Sequence, residues 1–280
     1  MNPGIYDDLS NEDYHSSPGI SKSGLDLINK SPYLFSNRPK QEPTKAMLIG
    51  SATHTAVLER DLFADQYVWA PNVDGRTKAG KEELALFASE NVGKTVLKSE
   101  EFDLIANISR SVWNNPIAAN ILDEQGQAEP SIFHIDEITT ELVKVRPDWM
   151  IDNLLVDLKT TEDASPEGFS RSCWNYRYHV QAALYLDIAN AQMRSSEYLA
   201  PDRFSGFVFI VVEKSPPHQV AVYYADHAMM EAGRIEYRRN LDTYHQCRIE
   251  DVWHGYNDDK IQPIGLPGWA IRNIKTAMAD

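Results

Sequence analysis

The sequence predicts an α/β fold with a mixed central sheet flanked by helices. Three observations predict it. Apolar residues recur at helical spacing between about 46 and 120. From 129 to 161 the pattern changes to short runs rich in β-branched residues. Beyond that, helix and strand patterns alternate to about residue 250, and FSGFVFIVVEK (204–214) is continuously apolar, as in a strand covered on both faces. The 280 residues suit one decorated domain, 1–280, with an accessory region at 1–45, a core at 46–250 and a tail at 251–280.

Taken in order, Ser21 is placed to cap a short helix over Gly24–Ile28. SPYLFSNRPKQEPTK carries three prolines and reads as an irregular connection. KAMLIGSATHTAVLER predicts a helix over about 46–60, with Met47, Ala52, Ala56 and Leu58 on its apolar side. QYVWA predicts a short strand, TKAGKEELALFASE a helix and KTVLK an extended piece. A long helix is expected over about 99–120, where Phe102, Ile105, Ile108 and Val112 share a face. PSIFHID, ELVKVRPD and LLVDLKTT predict three strands. Next come a helix centred on Tyr178–Ala191, strands in FSGFVFIVVEK and HQVAVYYA, and a helix in DHAMMEAGRIEYRRNLDTYHQCR. The last 30 residues, with Trp253 and Trp269, read as a tail packed on the domain.

The composition narrows the function. No run of about 18 apolar residues occurs, and MNPGIYDDLSNEDYH lacks the basic start and apolar core of a secretory signal. A cytoplasmic protein without membrane contact is expected. Cys173 and Cys247 are too few for a disulfide framework or a zinc site of their own, and read as reduced thiols. The net charge of -14 argues against a broad basic surface for nucleic acid. It leaves room for an enzyme whose acidic ligands hold a metal that faces phosphate. No Ser-His-Asp or Cys-His pattern stands out, and Gly126 and Gly168 are isolated, so a phosphate-cradling glycine loop is not expected.

The stretch RPDWMIDNLLVDLKTT (146–161) carries the chemistry. Asp152-Asn153 is a plausible two-residue turn, because both residue types tolerate left-handed backbone. Placed there, it pairs Ile151 with Leu154, Met150 with Leu155, Trp149 with Val156 and Asp148 with Asp157. Paired residues share a face, with Cβ atoms roughly 4.5 to 5.5 Å apart. Two carboxylates then oppose each other, which destabilises the pair unless something compensates. A divalent cation is one compensation; solvation of the face, with Lys159 offsetting Asp157, is the other. Lys159 lies two residues beyond Asp157 and so shares its face, while Trp149, Leu154, Val156 and Leu158 take the apolar one.

Pro147-Asp148 followed by Asp157-Leu158-Lys159 resembles the signature of the PD-(D/E)xK nuclease superfamily. GSATHTAVLE (50–59) looks like the G-x-x-x-H helix of RecB-type nucleases, and Gln181 and Tyr185 match their Q-x-x-x-Y helix. GIYDDLSNEDYHSSPGISKSGLD, the RTKAGKEE stretch, TTEDASPEGF, YRYHVQAALY and EYRRNL are similar to the nuclease domain of RecE-type exonucleases, also called exonuclease VIII. The resemblance runs from about residue 4 to the tail. It implies a restriction-endonuclease-like core and a Mg²⁺-dependent exonuclease. Such an enzyme degrades the 5′-ended strand of duplex DNA and leaves a 3′ overhang for a strand-annealing partner of the RecT type. It further implies a ring-shaped homotetramer.

On this resemblance Asp148, Asp157 and the Leu158 carbonyl are ligands to Mg²⁺, an ion that takes oxygen donors and keeps several waters. His54 joins them, a nitrogen donor that suits Mn²⁺ as a substitute. Lys159 orients the attacking water or stabilises the phosphorane. Gln181 and Tyr185, four apart on one helix face, hold a phosphate or a carboxylate ligand. Glu129 is expected behind the ligands; Arg146 is a candidate DNA contact, against which stands its reading on the strand face opposite Asp148. Another nuclease of the superfamily, endonucleolytic or helicase-associated, and a non-catalytic module that recruits a recombination partner remain as alternatives.

Overall fold

The computed structural model describes residues 1–39, 44–196, 202–256 and 261–277. The N-terminal third comprises β1 (Gly4–Tyr6), α1 (Asn11–Ser16), α2 (Lys22–Lys30), α3 (Pro32–Ser36), α4 (Lys45–Leu58) and α5 (Arg60–Gln66). It continues through β2 (Tyr67–Trp69), α6 (Lys78–Glu90), β3 (Thr95–Leu97), α7 (Ser99–Asn114) and α8 (Pro116–Asp123). The strands β4 (Gln127–Ala128), β5 (Ser131–Ile135), β6 (Leu142–Val145), β7 (Trp149–Met150) and β8 (Leu154–Thr161) follow. Then come α9 (Pro166–Asn175), α10 (Tyr178–Ser196), β9 (Gly206–Glu213), β10 (Val220–Tyr224), α11 (His227–Glu250) and α12 (Gly268–Ala277).

The main sheet has the order β10-β9-β8-β7-β4. It is mixed: β8 and β9 run parallel, and the other pairs are antiparallel. Both faces are covered, which explains why β9 is apolar along its length. On one face Val156, Leu158, Val208, Ile210 and Val212 pack with Val57, Ile108, Val112 and Leu122. On the other, Leu155, Phe207, Phe209 and Val211 pack with Val180, Ala183 and Leu184. A smaller cluster of Ala52, Ala56, Leu97 and Ile105 joins α4 and α7 to the β2–β3 pair.

Three departures from the sequence reading have local causes. The helix expected over 99–120 is two helices, because Pro116 has no N–H to donate and Asn115 caps the second through Ile117 N and Ala118 N at 3.1 and 3.0 Å. The three strands expected over 129–161 are five, divided between two sheets. β5 and β6 belong to a separate sheet of order β1-β5-β6, whereas β7 and β8 belong to the main one. Pro147 falls at the changeover, where a residue without a backbone donor interrupts the ladder. SPYLFSNRPKQEPTK is not wholly irregular, since Pro32 starts α3 at the first helical position; residues 40–43 lie outside the described residues.

The accessory region is woven into the domain. β1 pairs with β5, and Ile20 bridges Val143. Ser21 caps α2 as expected. In the tail, Trp253 stacks on Phe35 at 5.5 Å, while Ile261 and Ile264 stand in solvent. The Trp269 side chain lies outside the described part. Gly233 lets α11 approach α10: a Cβ there would lie 2.1 Å from the His179 carbonyl oxygen.

Candidate active site

The hairpin has the expected register. Trp149 pairs with Val156 and Met150 with Leu155, and Ile151 N–H donates to the Leu154 carbonyl at 3.1 Å. Neither Asp152 nor Asn153 has positive φ, so the turn is two residues long without the left-handed conformation their types allow. The next pair outward is Asp148 and Asp157. The face they occupy is no solvated surface: Leu155 on the same side is fully buried beneath α10, and Asp157 is 1% exposed.

Each carboxylate is held from one side. Asp148 Oδ2 accepts the Leu158 N–H at 2.7 Å. Asp157 Oδ1 accepts from Gln181 Nε2 on α10, and its Oδ2 lies 2.5 Å from Lys159 Nζ. That Oδ2 is buried without a well-directed hydrogen bond, so the ammonium meets it by charge more than by geometry. His54 reaches over from α4. Its Nε2 is 3.2 Å from the Leu158 carbonyl, which can only accept, and its Nδ1 is 3.5 Å from Asp148 Oδ1.

Burial, and then the neighbouring Asp157 carboxylate, push the Asp148 carboxyl well above the usual carboxylate range; His54, Lys159 and the Leu158 N–H pull the other way. Burial pulls the Lys159 ammonium down, but Asp157 and Asp148 outweigh it and hold it above its ordinary value. Lys159 is therefore a fixed cation, in contact with the Tyr178 ring at 4.7 Å.

The structure brings His54, Asp148, Asp157, Leu158, Lys159 and Gln181 together. Tyr185 lies alongside: burial raises its phenol well above the ordinary value, both aspartates add to the shift, and the Arg146 backbone contacts it. Tyr185 is thus a neutral phenol facing the backbone beside Asp148. Glu129 lies next to Asp148, its N–H donating to the Asp148 carbonyl at 3.0 Å and its carboxylate 3.6 Å from Arg146. Arg146 departs from expectation. Its guanidinium donates to Ser131 Oγ at 2.9 Å and to the Leu9 carbonyl, and covers the Tyr14 ring at 4.6 Å. It ties the N-terminal segment to β5 and is half-buried, with its guanidinium taken up by those partners. Sequence reasoning missed Tyr176 and Tyr178; the aromatic density of CWNYRYH was the available signal.

The donors fit a hard divalent ion. Two carboxylates, one with an incompletely bonded oxygen, and a main-chain carbonyl sit together with an excess of negative charge. Among the described residues no group of three or more His, Cys, Asp or Glu side chains is arranged to hold a metal.

Two short strands that present Pro-Asp and Asp-Leu-Lys to one point, flanked by helices that add a histidine and a glutamine, define the PD-(D/E)xK class of fold. Residues 30–260 match the family model described as a PDDEXK-like domain of unknown function, DUF3799, and the chain belongs to that family. Nucleases of this superfamily generally depend on a divalent metal. A solved structure from Eubacterium rectale, described as a putative exonuclease, is similar in fold. The TM-score is 0.55 at 15% identity, over 92% of this chain and 96% of that one. No curated protein matches the sequence. Among the described residues no helix is long and apolar enough to cross a membrane.

Proposed function

We propose that the protein is a Mg²⁺-dependent exonuclease acting on double-stranded DNA ends. It degrades the 5′-ended strand and leaves a 3′ overhang for homologous recombination by strand annealing. The observation that carries the hydrolytic reading is the placing of Asp148 opposite Asp157 with Lys159 beside them. The polarity, the RecT-type annealing partner, the tetrameric ring and the cytoplasmic setting rest on the resemblance to RecE-type exonucleases. A ring around the duplex accounts for retention of DNA by a chain of net charge -14.

In this reading Asp148, Asp157 and the Leu158 carbonyl hold the cation, with His54 at its edge; Mn²⁺ is an acceptable substitute. The bound cation supplies an acidified water and neutralises charge on the scissile phosphate. Gln181 fixes the rotamer of Asp157 by donating to Oδ1, which turns Oδ2 toward Lys159. Lys159, held protonated by the two aspartates, acts as a cation toward the phosphate and not as the base. Tyr185 fixes the backbone leading into Asp148.

Linear duplex labelled at its 5′ ends, incubated with Mg²⁺, tests the reading. The wild type releases the label and Asp148→Ala does not, while closed circular duplex stays intact. A wild type that spares every linear duplex ends the proposal. One that nicks circles makes it an endonuclease, and only monomers after cross-linking removes the ring.

A further inference from the structure

A cavity of about 460 Å³ opens directly beside Lys159, between the end of β8 and α9. Its lining includes Lys159, Arg171, Asn175, Tyr176, Tyr178 and Lys214. Arg171 and Lys214 face solvent and pair with exposed partners, Asp163 at 3.8 Å and Glu162 at 3.0 Å. Exposed pairs of this kind are weak and give way to a phosphate at little cost. A ladder of rings leads out from the site. Lys159 Nζ sits over Tyr178, and Tyr178 stacks on Tyr176 with centroids 5.6 Å apart and planes at 28°. Tyr176 is 62% exposed, so its outer face has no ring upon it.

That exposed ring is held firmly. It sits in the link between α9 and α10, where Arg177 has φ of 56°, a conformation that costs a non-glycine residue energy and persists only where the surroundings impose it. The surroundings do impose it. Arg177 Nε lies 3.0 Å from Asp26 and its Nη2 3.2 Å from Glu236, both partly buried. Lys22 Nζ donates to the Tyr176 carbonyl at 2.7 Å. Two elements, α2 and α11, thus converge on the helix end that carries the exposed ring, where Tyr176 is the C-cap of α9.

We propose that Tyr176 is a stacking platform for the nucleobase next to the scissile phosphate of the cleaved strand. The ladder extends by one ring, the base, while Arg171 and Lys214 face the sugar-phosphate backbone in the cavity. Stacking is tolerant of sequence because every base has a π face, which suits an enzyme that must advance through any sequence. It also requires the terminal base to leave its pair, so the platform favours frayed or mismatched ends over tightly paired ones. The inference rests on the nuclease reading above and adds the residue that seats the substrate's base.

The experiment uses the full chain as wild type, Tyr176→Ala and Tyr176→Phe. Duplexes carry 2-aminopurine at the 5′-terminal position. Binding is followed by fluorescence with Ca²⁺ in place of Mg²⁺, and cleavage by label release with Mg²⁺. Wild type and Tyr176→Phe should quench the 2-aminopurine. Tyr176→Ala should lose the quenching and raise KM about tenfold, with kcat at saturation within about twofold. Tyr176→Phe separates stacking from any role of the hydroxyl, and circular dichroism checks that the exposed substitution leaves the fold intact. If Tyr176→Ala quenches and cleaves like the wild type, the platform is wrong and the nuclease reading stands. A wild type that neither quenches nor cleaves overturns both.

Discussion

Asp148→Asn should make the metal-free protein more stable and catalytically dead. The change preserves shape and removes one of two facing carboxylates, only one of which is matched by an ammonium, Lys159 at 2.5 Å from Asp157. Two unit charges about 5 Å apart repel by about 3 kcal/mol at an effective dielectric near 20. Against this, the 2.7 Å bond from Leu158 N–H becomes a neutral one and the attractions to Lys159 and His54 are lost, together about 1–2 kcal/mol. The variant should therefore gain about 1–2 kcal/mol, roughly 2–5 °C in Tm. The Asp148 carboxyl titrates higher in the folded chain than in the unfolded one, where about 3.9 applies. The folded wild type therefore holds an extra proton in that window, and its stability falls as pH rises through it. The advantage of the variant is absent near pH 4 and complete by pH 8. Saturating Mg²⁺ at about 100 times its Kd adds about 2.7 kcal/mol to a protein that binds it, so Mg²⁺ should reverse the order. Thermal unfolding at both pH values, with chelator or with Mg²⁺, reads each term. A variant less stable than wild type in chelator at pH 8, or one that gains as much from Mg²⁺, would refute the reasoning.

Lys159→Met should lower cleavage by at least about a hundredfold and destabilise the metal-free protein by about 3 kcal/mol, because buried Asp157 loses its partner; denaturant unfolding beside label release checks both. Gln181→Leu should cost about 1–3 kcal/mol by leaving Asp157 Oδ1 without its donor. It should also weaken Mg²⁺ binding about ten- to a hundredfold, read by calorimetry. Gly233→Ala should cost about 1–3 kcal/mol in chemical denaturation, since the new methyl meets the His179 carbonyl, with kcat little changed in the fraction that folds.

The register of the site was legible because alternation along one short strand, with a two-residue turn, fixes every side chain at once. Asp157, Lys159 and the apolar set of Val156 and Leu158 fell on the expected sides. What local pattern did not reveal was what lay beyond the hairpin. That β5–β6 pairs with β1 instead of β7 depends on a contact more than a hundred residues away in sequence. Arg146 illustrates the same limit. The Leu9 carbonyl and Tyr14 ring that take up its guanidinium belong to a distant segment. The break at Pro116 was readable and was outweighed by the apolar spacing on either side of it. Tyr176 stayed hidden for another reason: an aromatic residue near a helix end usually packs inward, and nothing in the local pattern marks this one as exposed.

β8 is bonded on both edges, to β7 and to β9, and its residues from Leu155 to Leu158 are buried. Amides there should exchange with solvent only when the whole domain opens. His54 lies on α4, a helix, between Ala52 and Ala56 of the smaller cluster that reaches β3. If α4 opens more readily than β8, a ligand that spans both links the two. Protection gained on binding should then appear in α4 and its neighbours, while β8, already closed, reports almost nothing.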